Sequence, residues 1–584
     1  MKIFNKFKVI LILASIFVGI IYLYPYSYYN LLKHEDRVLY PFSFAETLYA
    51  AQVKEIIDGN FSVGDPQFFE HKQVTPSVFP YICVFLIATV SYITGSIVWG
   101  FLVSDFIFPV ILFLLLYTFG ILLTHNRLCA LLASFSTLFL YHLLAKFPPI
   151  SIEGIREFLK IVTWQQVSGP LPFYRTPNPQ ISFIFLALSL FILYGLWLKP
   201  DWKITSVLIV AANLLYSVYF YHVTYFIFIT LILLFTTLFK RDKKQFISLF
   251  TLLCSLCITG IAYLQISKIY PYQTLQVTGG KFEMRYFDWI YSLRYGIFFI
   301  ILLFLTNGIN NSQRVFSGSL VLAGLGVMNF QVLTGWTIQP GHWPQTTVEP
   351  VITFLLCLYI GRLLITKISS FSMCILILCI CIYAVIWQIH FSQRAVKDWS
   401  IPRDLNNVLI WLNTNSTTQT VVLALDIEVS AYVPVLTSAN IFLPVEEYHY
   451  ATVDEIWQRI LLAYKIYKVP KYFFNPSVLP LVTYFELTYN LNQYKHEDFR
   501  EYDQLIRQRI KNCYPSLCAS LYSLPMRIKD YWVEQFALKI DLEKNPFRLD
   551  YIIYSPNDKK KHALFPTGTL VYRSGEYRVF AYKR

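Results

Sequence analysis

Up to about residue 391 the chain alternates long apolar runs with short polar gaps; beyond that point the rhythm changes. A membrane span needs about 20 mainly apolar residues. Such runs fall at 8–28, 102–124, 128–146, 180–198, 204–220, 222–239, 246–266, 288–306, 315–333, 349–366 and 370–391. A further stretch, 78–98, is apolar but interrupted by Tyr, Thr, Ser and Gly. The pair 204–220 and 222–239 leaves room only for a very short turn near Tyr221 and His222. The first run follows MKIFNKFK, as in a signal peptide, but it is long and lacks a small-x-small cleavage site, so it reads as an uncleaved span.

The basic residues choose the direction of the spans. Lys and Arg collect in cytoplasmic loops. Lys2, Lys6 and Lys8 place the N-terminus inside, and the block Lys240-Arg241-Asp242-Lys243-Lys244 should lie on the same side. Lys199, Lys203, Arg127, Arg314, Arg362 and Lys367 also fall inside, provided 78–98 does not cross. About eleven spans are therefore expected, with 78–98 re-entrant or lying along the membrane; the alternative is twelve. This plan puts 29–77, 147–179, 267–287, 334–348 and the tail 392–584 on the extracytoplasmic face.

The tail reads as a separate soluble α/β domain, long enough to bury its own core. RDLNNVLIWLN and TVDEIWQRILLAYKIY have helical periodicity. TVVLALDI and LDYIIYS read as buried strands, and TLVYRSGEYRVFAYKR as a hairpin turning at Ser574-Gly575. No Gly-rich phosphate loop or nucleophile elbow stands in it. Asn415-Ser416-Thr417 is a sequon, relevant only in a eukaryotic lumen.

Composition supports the polytopic reading. The 584 residues are 56% apolar and 14% charged, with a mean hydropathy of +0.48, whereas a soluble chain carries about a quarter charged residues. The net charge of +14 is accounted for by orienting loops, and no basic run with interleaved aromatics points to nucleic acid. Of ten cysteines, eight lie in apolar runs as small hydrophobes. Cys513 and Cys518 could pair as a local disulfide or remain free. No metal-ligand spacing is visible, no cofactor is evident, and participation of a divalent ion stays open.

Candidate chemistry concentrates in the outer segments. In YPFSFAETLYAAQVKEIIDGN, Ala45, Leu48, Tyr49, Val53, Ile56 and Ile57 form one apolar stripe, which predicts an amphipathic helix with its apolar face in the membrane interface. Ser43-Phe-Ala-Glu46 matches a capping box, which gives Glu46 a purely structural role. A carboxylate in such a place is also able to take a proton as a general base. Asp36, in KHEDR, is a second candidate for that role, and Asp65, in GDPQFFEH, a third acid of the loop. The second outer segment ends in YRTPNPQ, which stands Arg175 at the surface, where a guanidinium fork suits a phosphate or anchors a span. The fourth reads TGWTIQPGHWPQ. It offers His342 as a hydrogen-bond donor to phosphate or a proton shuttle, Trp343 beside Trp336 as a stacking platform or belt residue, and Gln345 as a polar contact. Asp105, His142, His222, Asp288 and Arg294 are ionisable groups in or near spans. Such groups flag function, though pairing or snorkelling at span ends accounts for most. His222, at an outer turn, could face the same cavity. Glu349 stands just before a span.

A first span followed by an outer loop whose acid opens a helix resembles the GT-C superfamily of membrane glycosyltransferases. The residues that carry the resemblance are Glu46-Thr-Leu-Tyr49-Ala-Ala and Ile57-Asp58-Gly59, similar to a D/E-x-x-Y…DG pattern. The family often has Asp at this acid, where this chain has Glu. The resemblance implies a GT-C-like membrane module over 1–391 with an extracytoplasmic domain over 392–584. It implies transfer of a sugar from a polyprenyl-phosphate donor to a sugar, lipid or protein acceptor at the outer face of the cell membrane. Glu46 or Asp36 would activate the acceptor, and Arg175 and His342 would hold the donor phosphate. The rival reading is a transporter or flippase of a lipid-linked molecule, which would want charges deep in the spans and internal repeats. A non-catalytic scaffold presenting its tail is a third.

Overall fold

A computed structural model of the chain describes residues 2–31, 36–43, 46–72, 81–144, 151–165, 169–269, 282–283, 287–337, 341–445, 451, 453–470, 534, 545–560 and 563–582. Cys513 and Cys518 lie outside the described residues. Each predicted span is a helix. They are α1 (Lys2–Leu31), then, after α2 (Thr47–Ile57) and α3 (Tyr81–Thr94), α4 (Ile97–Thr124) and α5 (Arg127–Leu144). The short α6 (Ile152–Val162) precedes α7 (Ser182–Leu198), α8 (Trp202–Val218), α9 (Phe220–Lys240) and α10 (Lys243–Ile269). The bundle closes with α11 (Trp289–Leu305), α12 (Asn311–Met328), α13 (Glu349–Ile365) and α14 (Ser370–Trp399). Among the described residues eight helices are long and apolar enough to cross a membrane, namely α1, α4, α5, α7, α9, α10, α13 and α14. The 17-residue α8 and α11 and the less apolar α12 complete a polytopic bundle of about eleven helices.

The stretch 78–98 yields only the 14 residues of α3, about 21 Å of helix against a hydrocarbon core of about 30 Å. Gly95 (φ +71) turns the chain, and α4 runs back alongside. The two helices touch at Ser91 and Gly100, where a Cβ on the glycine would lie 2.6 Å from the Ser91 Cα. In that antiparallel register α3 lines only the first half of α4. Small residues set other close approaches. A Cβ on Gly361 of α13 would meet the Cys129 Cα of α5 at 3.4 Å, and one on Gly120 of α4 the Ala130 Cα at 3.0 Å, as expected where packing rather than the hydrophobic effect joins helices. Arg294 and Glu349, both buried, form an ion pair of 3.1 Å between α11 and α13.

The segments predicted to share a face meet at one end of the bundle. β1 (Arg37–Leu39), in the first loop, pairs antiparallel with β4 (Ser400–Pro402) after α14; β2 (Phe282–Glu283) pairs with β3 (Trp336–Thr337). The C-terminal region follows on the same end. It contains α15 (Arg403–Asn415), β5 (Val421–Ala424), α16 (Ile427–Leu436), β6 (Asn440–Ile441), α17 (Val453–Ile466), β7 (Tyr551–Tyr554), β8 (Thr569–Ser574) and β9 (Tyr577–Ala581). These strands form one sheet in the order β6-β5-β7-β9-β8, with β5 parallel to both its neighbours and the β8–β9 hairpin turning at Gly575, φ +54. All four residues of β5 are buried, as a central parallel strand requires.

One expectation is overturned. The amphipathic helix α2 does not rest its apolar face on lipid. It is packed between α3 and α16, with nine of its eleven residues buried. Ala50 and Ala51 supply a second, small-residue surface beside the predicted stripe, so both faces find protein partners.

Candidate active site

The site is built where four connections converge. Glu46 stands at the start of α2 and is 2% exposed. Its Oε2 accepts from the backbone N–H and the hydroxyl of Ser43, each at 2.9 Å. That is half of the predicted capping box; the hydroxyl donates to Glu46 instead of capping the helix. The clasp is not the whole of its surroundings, because the backbone N–H of Thr176 also donates to the Glu46 carboxylate and the Arg175 charge bears on it. Burial nevertheless outweighs these contacts and holds the Glu46 pKa above its ordinary value.

Arg175 and Thr176 belong to an extended approach that ends in a wide turn, Thr176–Ile181, containing Pro177 and Pro179. The Arg175 guanidinium lies over the Tyr49 ring, 5.6 Å from its centre. Thr176 Oγ1 donates to Oδ1 of Asp105, a buried acid of α4. Tyr174 packs on Trp399 and Phe391 at 4.7 and 5.8 Å, and burial, then the charges of Asp105 and Glu46, drive its phenol pKa upward. One loop thus carries a cation, a carboxylate-bound hydroxyl and a ring clamped against the start of the C-terminal region.

Tyr219 occupies an extended break between α8 and α9, φ −168, two residues before the turn the sequence suggested. Its hydroxyl lies 2.5 Å from Nδ1 of His342 and also bonds Asn178. His342 stacks on Tyr221 at 4.9 Å. Burial, with help from the Arg175 charge, lowers its pKa to about 4, so it is neutral at pH 7. If Tyr219 donates to Nδ1, the imidazole proton stands on Nε2 and is available to an anion.

Glu46, Arg175 and His342 therefore share one locality. His222 lies next to it, fully buried, with Nδ1 2.9 Å from Thr347 Oγ1 and Nε2 3.3 Å from Ser182 Oγ, its ring against Tyr219. Trp343 turns inward, its indole donating to Thr224 at 2.8 Å and its edge on Tyr221. Gln345 is exposed. Asp65 is buried in a local turn, accepting from the N–H groups of Gln67 and Phe68. Asp36 is exposed, and its carbonyl accepts from Arg403 N–H beside the β1–β4 pair. Thr176, Asn178 and Tyr219 were not among the candidates, and Asp105 was flagged only as an ionisable group in or near a span. Asp105 was visible as an acid inside an apolar run, and Tyr49 as the fourth position of Glu46-Thr-Leu-Tyr49. Tyr219 and Asn178 carry no signal apart from the geometry.

Among the described residues no group of three or more His, Cys, Asp and Glu side chains is placed to hold a metal. The arrangement offers a buried carboxylate, a cation held over an aromatic ring, and a neutral imidazole. It can take a proton at Glu46 while stabilising an anion at Arg175 and His342.

No protein-family model and no curated protein matches the chain by sequence. Its structure is similar to a crystal structure of ArnT from Cupriavidus metallidurans bound to undecaprenyl phosphate, with a TM-score of 0.50 and 10% identity, over 99% of this chain and 98% of that one. That likeness concerns the fold alone: the chain is a multi-pass membrane protein with an ArnT-like architecture, a helical bundle followed by a sheet-containing C-terminal region.

Proposed function

We propose that the protein is a membrane glycosyltransferase that moves a sugar from a polyprenyl-phosphate-linked donor to an acceptor at the extracytoplasmic face. The observation that carries this reading is the convergence of Glu46, Arg175 and His342, drawn from three loops, at one end of the bundle. The undecaprenyl phosphate bound by the ArnT structure supports a lipid phosphate as the donor's carrier. The basic residues Lys2, Lys6 and Lys8 support placing the N-terminus in the cytoplasm and hence the site, at the far end of α1, outside.

In this mechanism ionised Glu46 takes the proton of the acceptor as its oxygen or nitrogen attacks the anomeric carbon. The bond between that carbon and the phosphate oxygen breaks, and the electron pair leaves with the polyprenyl phosphate. Arg175 and the Nε2–H of His342 meet the charge that develops on the leaving group. Tyr49 orients Arg175, and Tyr219 fixes the imidazole tautomer. The carboxylates of Glu46 and Asp105 could face a divalent ion arriving with the donor, but two acids do not make a metal cage and no step is routed through one. A lipid-linked-molecule transporter would need the phosphate groups but has no use for a buried base beside them. The test is transfer of labelled sugar in membranes holding Glu46→Gln. Loss of transfer with normal insertion supports the assignment, and unchanged turnover removes it.

A further inference from the structure

The short helix α6 has an open apolar face. Ile152, Ile155, Leu159 and Val162 follow one another along one side of it and are exposed, Ile152 to 88% and Leu159 to 53%. Glu153, Arg156, Glu157 and Lys160 lie on the opposite side, with Lys160 and Glu157 paired at 2.7 Å, while Phe158 and Ile161 are partly buried. Two acids and two bases cancel, so nothing in α6 asks for a charged partner. An exposed apolar strip opposite a polar side is the pattern of a helix lying in a lipid surface.

The depth of α6 is fixed independently. Immediately after it, Trp164 seats against Tyr383, Trp387 and His390 of α14, at 5.4, 6.0 and 5.4 Å between ring centres. The Trp387 indole donates to the Gly169 carbonyl at 3.2 Å, and His142 of α5 closes the same aromatic group. Along α14, exposed Leu378, Ile382 and Ile386 form an apolar surface that gives way at this level to exposed His390 and Gln393. Tryptophan and tyrosine gathered where an apolar helix surface turns polar mark the boundary between headgroups and acyl chains.

We infer that α6 lies in the plane of the membrane surface, with Ile152, Ile155, Leu159 and Val162 among the lipid acyl chains. The occupant of its open face is the bilayer itself. The connection that leaves α6 is pinned at Trp164 and Gly169, then at Pro172, whose carbonyl accepts from Tyr22 at 2.5 Å, and ends at Arg175. α6 therefore sets the depth of that connection against the lipid, whatever reaction the site performs.

The experiment places a diazirine-bearing leucine analogue at Leu159, at Ile155, at Glu153 as the polar-side control and at Ile382 as the lipid-facing control. The full chain is reconstituted in phosphatidylcholine nanodiscs and irradiated, and adducts are read by mass spectrometry. The analogue is nearly isosteric with leucine, and normal nanodisc assembly confirms the fold. Expected are phospholipid adducts at Leu159 and Ile155 comparable with Ile382, and roughly tenfold fewer at Glu153, as a position on the polar side should give. Labelling at Leu159 and Ile155 no greater than at Glu153, or adducts there with a second copy of the chain in place of lipid, would overturn the inference.

Discussion

The guanidinium of Arg175 stands over the ring of Tyr49, 5.6 Å from its centre, and so joins the second loop to the helix that Glu46 opens. A cation over an aromatic face is held in orientation as well as in place, and a desolvated contact of this kind contributes about 2 kcal/mol. Tyr49→Leu is expected to weaken donor binding about tenfold through misplacement of Arg175. Tyr49→Phe, which keeps the π face, should stay near wild type. Donor KM in membranes distinguishes the two.

The pKa of Glu46 is raised by burial, so the ionised form that the proposed mechanism needs is populated at higher pH than for an ordinary glutamate. Transfer should rise with pH across that limb. The stability sign is opposite. A carboxyl whose folded pKa lies above its unfolded one contributes stability below the unfolded value, and this is lost as pH rises through the folded value. Glu46→Gln, a permanently neutral stand-in, is therefore expected to hold or raise Tm near pH 8 while abolishing transfer. A fall in Tm would assign Glu46 mainly to the Ser43 clasp.

His342 behaves in the reverse sense. Its folded pKa of about 4 lies below the unfolded value, so the unfolded chain takes up the proton first as pH falls. The stability present above the unfolded pKa is lost between about 6.5 and about 4. Thermal melts over that window should fall more steeply for the wild type than for His342→Gln, which has no proton to gain.

Asp105 accepts the hydroxyl of Thr176, next to Arg175. Asp105→Asn can still accept that bond and should fold normally with a modest loss of turnover. Asp105→Ala leaves the Thr176 hydroxyl without its acceptor in a buried place, a cost of about 1–3 kcal/mol, visible as a lower Tm and a larger loss of kcat.

Arg459, fully buried in α17, ties the C-terminal region to the first loop. It bonds Glu70 and Glu455 at 2.7 Å and packs on Phe68, Phe442 and Phe547. Removing one partner of a buried ionic group is costly because the others remain. Arg459→Met should destabilise the protein by about 3–5 kcal/mol, measured by thermal melting, with earlier proteolytic release of the C-terminal region.

Periodicity and basic loops made the helices and their common end legible, because a bilayer enforces span length and charge asymmetry on the sequence itself. The β5 and β7 strands and the Ser574-Gly575 hairpin were legible for the same kind of local reason. Glu46, Arg175 and His342 could be singled out by their loops, but not their convergence, which depends on how distant helices pack. Asp105 shows the limit: an acid in an apolar run is visible, yet its Thr176 partner lies 71 residues away. The placement of α2 was misread because a stripe of apolar residues does not reveal whether lipid or protein covers it. Burial against α3 and α16 decided that.

The most direct measurement is single-turnover transfer by the purified protein in nanodiscs, with a labelled polyprenyl-phosphate sugar, comparing wild type, Glu46→Gln and Arg175→Ala. Removing the base should slow the chemical step by about 10²–10⁴ with donor binding intact, whereas removing the cation should weaken donor binding first. Wild-type transfer by Glu46→Gln, or donor binding indifferent to Arg175, would contradict a shared site at this end of the bundle.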